Sequence, residues 1–259
     1  MSISGDEAVV EKSESPFSAY GPSTYGDRIA ELYDSLYPGP DTESAVEFLA
    51  ELARSGRALE LAIGTGRVAL PLKRRGIDIH GIDASEAMVG KLRSKPRGDD
   101  IPIEIGDFAN VDVAGQFQLI FIVFNTFFAL SSQDEQVRCF RNVARRLTPH
   151  GRFVIEAFVP DLSRFDRGQR TSTQMIDLDL VMMEVTVHDP TRQMATTQHV
   201  HITPAGVEMY PVQIRYAWPS ELDLMAKLAG LELKERWGGW RGEPFTAESG
   251  AHVSAYGRP

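Results

Sequence analysis

The 259-residue chain holds one cysteine, Cys139, so it forms no internal disulfide, and a reducing, cytosolic compartment is expected. No apolar run approaches the roughly 20 residues needed to span a bilayer. Met1 to Asp6 shows neither a basic region nor an apolar core, so no signal peptide is expected. Basic residues are the scarcer charge, with 27 Lys and Arg against 36 Asp and Glu and a net charge of −9. No cluster of lysines and arginines offsets that balance. This argues against DNA or RNA as a partner, because phosphate neutralisation is the main source of such affinity. The length allows one large α/β domain or a domain with a small addition.

The most informative stretch present is Ala58-Leu59-Glu60-Leu61-Ala62-Ile63-Gly64-Thr65-Gly66, an apolar run with one acid that ends in Gly-x-Gly. Glycines let a chain turn sharply off a strand and approach a ligand closely. In a dinucleotide site such a loop holds a pyrophosphate, which Glu60 would repel. The acid suits a ligand with an ammonium group and a sulfonium, and so favours S-adenosylmethionine over NAD. Asp83 follows Gly64 by 19 positions, near the roughly 20 expected of an acid that grips ribose hydroxyls. Each residue also has a plain alternative. Glu60 can be a surface acid, Asp83 a helix cap before Ala84, Met88 core, and Asp107 a turn former.

Strands and helices alternate from residue 58 to about 158, which predicts a mostly parallel sheet wrapped on both faces. Asp27–Tyr37 and Thr42–Arg54 read as helices, with Pro38-Gly39-Pro40 ending the first. Later strands are expected over 103–108, 119–124, 151–158, 231–237 and 252–256, with a helix over 220–230. Residues 1–20 read as a mobile arm. Residues 161–217 show repeated strand patterns at 175–178, 181–187, 196–203 and 207–216, separated by His188-Asp189-Pro190 and Pro204-Ala205-Gly206. They read as an antiparallel β-meander inserted after the fifth strand. It would cap an acceptor, form a dimer element, or serve only as structure. The main domain is then 21–160 with 218–259.

Glu-x-Ala-x-Gly-x-Gly at 60–66, Gly-Ile-Asp-Ala-Ser at 81–85, Gly-Asp-Phe at 106–108 and Leu-Thr-Pro-His-Gly-Arg-Phe at 147–153 stand in one order and spacing. In these motifs the chain resembles the class I S-adenosylmethionine-dependent methyltransferases over roughly residues 25–160, with a C-terminal return near 220–258. The resemblance implies a Rossmann-like, seven-stranded sheet whose last strand runs antiparallel. It implies S-adenosylmethionine as methyl donor and S-adenosylhomocysteine as product. Cofactor contacts are expected from Tyr25, Tyr33, Glu60, Ala62, Gly64, Gly66, Asp83, Ala84, Met88, Asp107, Phe108 and Phe124. Among these, Glu60 would face the methionine end, Asp83 the ribose, and Met88 and Asp107 the adenine.

Tyr33-Asp34-Ser35-Leu36-Tyr37 resembles the helix of methyltransferases that N-methylate nucleotide-linked amino sugars in antibiotic pathways. Their antiparallel insert is similar too. Gly242 to Ser249 resembles a segment of several small-molecule and peptide N-methyltransferases. Tyr33 and Glu156 are the candidate catalytic residues, and Tyr37, Phe128, Phe158 and Trp240 the candidate acceptor contacts. Their alternatives are helix packing for the tyrosines and a salt bridge for Glu156. His199 and His201 share a strand face, where ordinary surface histidines are favoured over a metal pair; no metal is expected. The leading expectation is N-methylation of a nucleotide-linked amino sugar. The others are a hydroxyl or peptide N-terminal acceptor, and a cofactor-binding module without turnover. The partner is a small-molecule acceptor, with no membrane and a possible homodimer through the insert.

Overall fold

The computed structural model describes residues 17, 19–37, 39 and 42–259. The expected arm over 1–20 therefore falls mostly outside the described residues. Seven strands form the central sheet: β1 (Ala58–Leu61), β2 (Ile79–Asp83), β3 (Ile103–Ile105), β4 (Phe117–Ile122), β5 (Leu147–Phe158) and two C-terminal strands. A separate sheet comprises β6 (Gln169–Ile176), β7 (Val181–Asp189), β8 (Met194–Thr203) and β9 (Gly206–Arg215). The central sheet is completed by β10 (Glu232–Trp237) and β11 (Ala251–Gly257), in the order β3-β2-β1-β4-β5-β11-β10. Pairing is parallel except around β11, which runs antiparallel to both neighbours. The fold is Rossmann-like, and the four-stranded meander follows β5 in the order β6-β7-β8-β9.

Continuous apolar strands suit a sheet buried on both faces. Along β4, Ile120 and Ile122 point to one side and Leu119 and Phe121 to the other. The first side packs on α6 (Gln133–Arg146) through Cys139, Phe140 and Val143, and on α7 (Pro219–Leu228) through Leu222 and Met225. The second packs on α3 (Thr42–Ala53) through Val46 and Leu49, and on α4 (Ala69–Arg74) through Leu70 and Leu72. Between β2 and β3 lies α5 (Glu86–Arg93), capped by Ser85, whose Oγ accepts the Met88 N–H at 3.2 Å. Helix α6 starts on a complete capping box, Ser132 with Glu135.

Several boundaries differ from expectation. The single helix expected over Asp27–Tyr37 is two, α1 (Thr24–Ile29) and α2 (Tyr33–Leu36), separated by a turn. The break lets Ile29 and Ala30 pack on Met88 and Tyr210 while Asp34 turns to the glycine loop. Strand β4 stops at Ile122, because Phe124 and Asn125 adopt left-handed backbone (φ +60° and +64°). Strand β6 starts at Gln169, and Leu178, expected in a strand, lies in the turn after it. Tyr20, placed in the arm, accepts a hydrogen bond from the backbone of Gln213.

The meander joins the main domain along β9. Arg215 donates to Gln136 Oε1 at 2.7 Å and to Glu221 Oε1 at 2.8 Å, tying β9 to α6 and α7. His188 Nε2 and Tyr216 Oη sit 2.8 Å apart.

Candidate active site

The loop after β1 is built from left-handed residues: Ala62 (φ +55°), Gly64 (+56°) and Gly66 (+79°). A Cβ on Gly66 would meet Leu92 Cγ at 2.8 Å, so this glycine is needed for both backbone and space. Asp83, at the end of β2, holds the loop in place. Its Oδ2 accepts the Gly64 N–H at 2.7 Å and its Oδ1 the Ser85 N–H at 2.9 Å. Burial pushes the Asp83 pKa up, and these backbone donors oppose the shift.

Glu60 lies beneath the loop, 3% exposed, and its Oε2 has no hydrogen-bond partner. The Ala69 N–H at the start of α4 reaches the same carboxyl. Burial pushes the Glu60 pKa up to about 8, Arg67 lowers it, and Asp83 raises it further. A buried carboxyl oxygen without a donor costs free energy unless a ligand supplies one. An ammonium group does so and also favours the charged form. Arg67 brings the opposite sign to the same place, so the two side chains fit an amino-acid zwitterion. The residues present therefore fit the methionine end of S-adenosylmethionine.

Helices α1 and α2 roof this floor. Asp34 Oδ1 accepts the Thr65 Oγ1–H at 2.6 Å, and its Oδ2 pairs with Lys95 Nζ at 2.5 Å. Lys95 also donates to the Thr65 carbonyl at 2.8 Å. Asp34 thus fastens α2 to the glycine loop. Ser85 Oγ donates to Asp27 Oδ1 at 2.7 Å and ties α1 to the start of α5. The roof's underside is aromatic: Tyr25 Oη donates to Tyr37 Oη at 3.2 Å, and the Tyr33 and Tyr37 rings are 5.0 Å apart. Burial pushes the Tyr33 phenol up to about 12 and Tyr25 above the usual phenol range.

Phe124 projects beside this cluster, its ring 5.4 Å from Tyr37 and 5.0 Å from the Arg67 guanidinium carbon. Its left-handed backbone is held by Glu156, whose Oε2 accepts the Phe124 N–H at 2.7 Å. The other oxygen, Oε1, accepts from Trp240 Nε1 at 2.9 Å. Asn125 completes the clamp by accepting the Phe158 N–H at 2.6 Å. A cavity of about 170 Å³ opens here between Arg67, Phe124, Glu156 and Trp240.

The expected residues therefore fall into groups. Glu60, Ala62, Gly64, Gly66, Asp83 and Ala84 form one continuous loop floor, and Met88 Cε comes within 3.5 Å of where a Gly64 Cβ would stand. Tyr25, Tyr33, Tyr37 and Phe124 gather above it. Asp107 turns its Oδ1 to the Ala109 N–H at 2.8 Å, and Phe108 lies in the core. Phe128 departs from expectation: it is fully buried against Phe158, with ring centroids 4.9 Å apart, so it presents no surface to an acceptor. Trp240 packs mainly on Phe48, and Glu156 spends both oxygens on neighbours instead of standing free. The sequence reading missed Arg67, Asp34 and Thr65 as parts of the site. Arg67 directly follows Gly66 and was the one with a positional signal. A larger cleft, about 720 Å³, lies between α6 and α7 on the outer helical layer and shares no residue with this site.

Comparisons with known proteins give the class of enzyme. Residues 58–151 match the family model described as a methyltransferase domain. The chain is 39% identical to the CcbJ methyltransferase from Streptomyces caelestis, covering 92% of this chain and 99% of that one, with a TM-score of 0.87. It is 28% identical to the cypemycin N-terminal methyltransferase of a Streptomyces species, over 88% of this chain and 95% of the relative. It is also 28% identical to a dTDP-4-amino-2,3,4,6-tetradeoxy-D-glucose N,N-dimethyltransferase of Saccharopolyspora spinosa, over 52% of this chain and 56% of the relative. The chain belongs to the S-adenosylmethionine-dependent methyltransferases. S-adenosylmethionine is its methyl donor.

Proposed function

We propose that this enzyme methylates an amino nitrogen of a small natural-product precursor, a nucleotide-linked amino sugar. The observation that carries the reading is the protonation and commitment of the groups at the mouth of the site. The phenols of Tyr25 and Tyr33 are pushed upward, so they stay protonated at neutral pH and serve as donors, not bases. Glu156 is engaged on both oxygens. The bound donor supplies a methyl carbon on a positive sulfur, which a neutral amine attacks unaided, whereas a hydroxyl needs a base within about 3 Å. Alignment of nitrogen and methyl then accounts for much of the rate.

In this reading Glu60 takes the donor's α-ammonium and Arg67 its carboxylate. Asp83 takes the ribose hydroxyls, and Met88 with Asp107 brackets the adenine. Tyr33 and Tyr37 orient the acceptor nitrogen, with Phe124 bounding the channel. The similarity to an amino-sugar dimethyltransferase supports the acceptor. A peptide N-terminal amine is the second reading, favoured by the similarity over 88% of the chain to the cypemycin enzyme. Incubation with deuterated-methyl S-adenosylmethionine tests both. The panel holds nucleotide-linked amino sugars, their hydroxyl-only counterparts and peptides with free N-termini. Label on the amino sugars supports the proposal, label on the peptides selects the second reading, and label on the hydroxyl compounds overturns N-methylation.

A second copy of the chain is the proposed partner of the meander's outer face. Ile176, Val185, Val187, Ile202, Val207 and Met209 are exposed there. From the row of Gln169, Val187, Thr196 and Gln213 to that of Ile176, Val181, Ile202 and Val207, this face carries no charged side chain. For a chain of net charge −9, that is the surface where two copies meet with least repulsion.

A further inference from the structure

The meander reverses the usual polarity of a surface sheet. An antiparallel sheet lying on a protein body normally turns apolar residues inward and polar ones outward. Here the outer face is uncharged and largely aliphatic, with only Gln and Thr between the apolar side chains, and the inner face carries Glu184, Thr186, Thr197, His199, His201 and Glu208 beside Met175, Met182 and Val212. The inner side is identified by its contacts: Tyr210 packs on Ile29, Ala30 and Met88, and Ile214 packs on the main core. Register aligns Ser172, Glu184, His199 and Tyr210 in one row across all four strands of that face. Glu184 Oε1 lies 3.5 Å from His199 Nδ1. In the adjoining row the Thr186 and Thr197 hydroxyls are 2.9 Å apart. A row further on the other side holds His201, its ring 5.0 Å from that of Tyr210.

A polar inner face is costly unless something polar occupies the space before it. Glu184 and His199 keep 26% and 24% of their side-chain surface exposed, so a ligand reaches them. We propose that Glu184, His199 and Thr197, the last held from behind by the buried Thr186 hydroxyl, form a recognition subsite for the hydroxyl-bearing part of the acceptor. The inference rests on the N-methylation reading and adds where the rest of the acceptor lies. The chemistry of the wall selects the ligand. Glu184 only accepts hydrogen bonds, and the threonines accept and donate. Burial lowers the His199 pKa, with Glu184 opposing, and the neutral ring offers a lone pair. Such a wall matches a run of hydroxyl donors and repels phosphate. In these rows Arg170 is the one cation, at the β6 edge of the Thr186 row. Distance fits as well. Glu184 stands two strands from Tyr210, about 10 Å, and Tyr210 packs in one small cluster with Ile29, Ala30 and Met88 beside the glycine loop. One ring-sized acceptor bridges that gap, with its amine toward the tyrosine roof and its hydroxyls toward the meander.

The test is steady-state kinetics of the full-length Glu184→Gln and Thr197→Val variants. The substrates are the best-methylated amino sugar of the panel and cyclohexylamine, an amine without hydroxyls. S-adenosylhomocysteine affinity serves as the control for folding and for the donor site. The expected result is a KM for the amino sugar raised about tenfold in each variant, with kcat and S-adenosylhomocysteine affinity unchanged. Transfer to cyclohexylamine should be slow and indifferent to both substitutions. An unchanged amino-sugar KM in both variants overturns the subsite while leaving N-methylation intact. A wild-type enzyme that treats cyclohexylamine and the amino sugar alike overturns it too. Failure to methylate any amine, with S-adenosylhomocysteine still bound, overturns the N-methylation reading and the subsite with it.

Discussion

Glu156 shows how one side chain holds a strained residue in place. A left-handed phenylalanine is unfavourable by roughly 1–3 kcal/mol and persists only where neighbours over-determine it. Here the carboxylate accepts the Phe124 N–H with one oxygen and the Trp240 indole N–H with the other. Glutamine keeps the shape but turns a donor toward one of those donors. Glu156→Gln should therefore destabilise the fold by about 1–3 kcal/mol in chemical denaturation. It should also lower kcat, because Phe124 shifts, while S-adenosylhomocysteine binding holds. Glu60 has a different signature. Its pKa, raised to about 8, exceeds that of an unfolded glutamate, so the native state binds the extra proton. The ligand-free protein then loses stability as pH rises from about 5 to 8. In Glu60→Gln this part of the pH dependence should vanish, as thermal unfolding across that range will show.

The elements around the glycine loop act as a fastened lid. Helix α2 is four residues long and too short to be stable alone, so its position depends on tertiary ties. Asp34 supplies two of them, through Thr65 and Lys95. Asp34→Ala should loosen the roof and weaken S-adenosylhomocysteine binding about tenfold by calorimetry, with a change of less than about 1 kcal/mol in global stability because the pair is partly solvated. The β1 loop and β2 are legible in the sequence because apolar runs and glycines coincide there, and most of β4 because its apolar run is continuous. The break between α1 and α2 is not, since Ile29, Leu32, Tyr33 and Leu36 keep a helical spacing through the turn. The start of strand β6 is not legible, because Gln169 to Gln174 has little apolar alternation. Its hydrogen bonds to β7 make it a strand regardless. Of the site, the cofactor floor could be read from spacing. The commitment of Glu156 and the burial of Phe128 depend on partners 84 and 30 positions distant respectively, which no local pattern encodes.

For the whole molecule, the aliphatic outer face and the polar inner face of the meander are two sides of one arrangement. If a second copy covers the outer face, a charge placed there should separate the copies. Val187→Glu should convert a dimer to a monomer in sedimentation while leaving the monomer's thermal midpoint nearly unchanged. A monomeric wild type would exclude this interface. The central claim concerns the floor of the donor site, where a buried carboxyl waits for a cation. The direct measurement is calorimetric titration with S-adenosylhomocysteine at pH 7 in buffers of different ionisation enthalpy, for wild type and Glu60→Gln. The account predicts release of close to one proton by the wild type, since binding ionises Glu60, and an affinity that rises from pH 6 to 8. The variant should bind at least tenfold more weakly with no proton released. Equal affinities, or no proton release by the wild type, would contradict the assignment of Glu60 as the cation's partner.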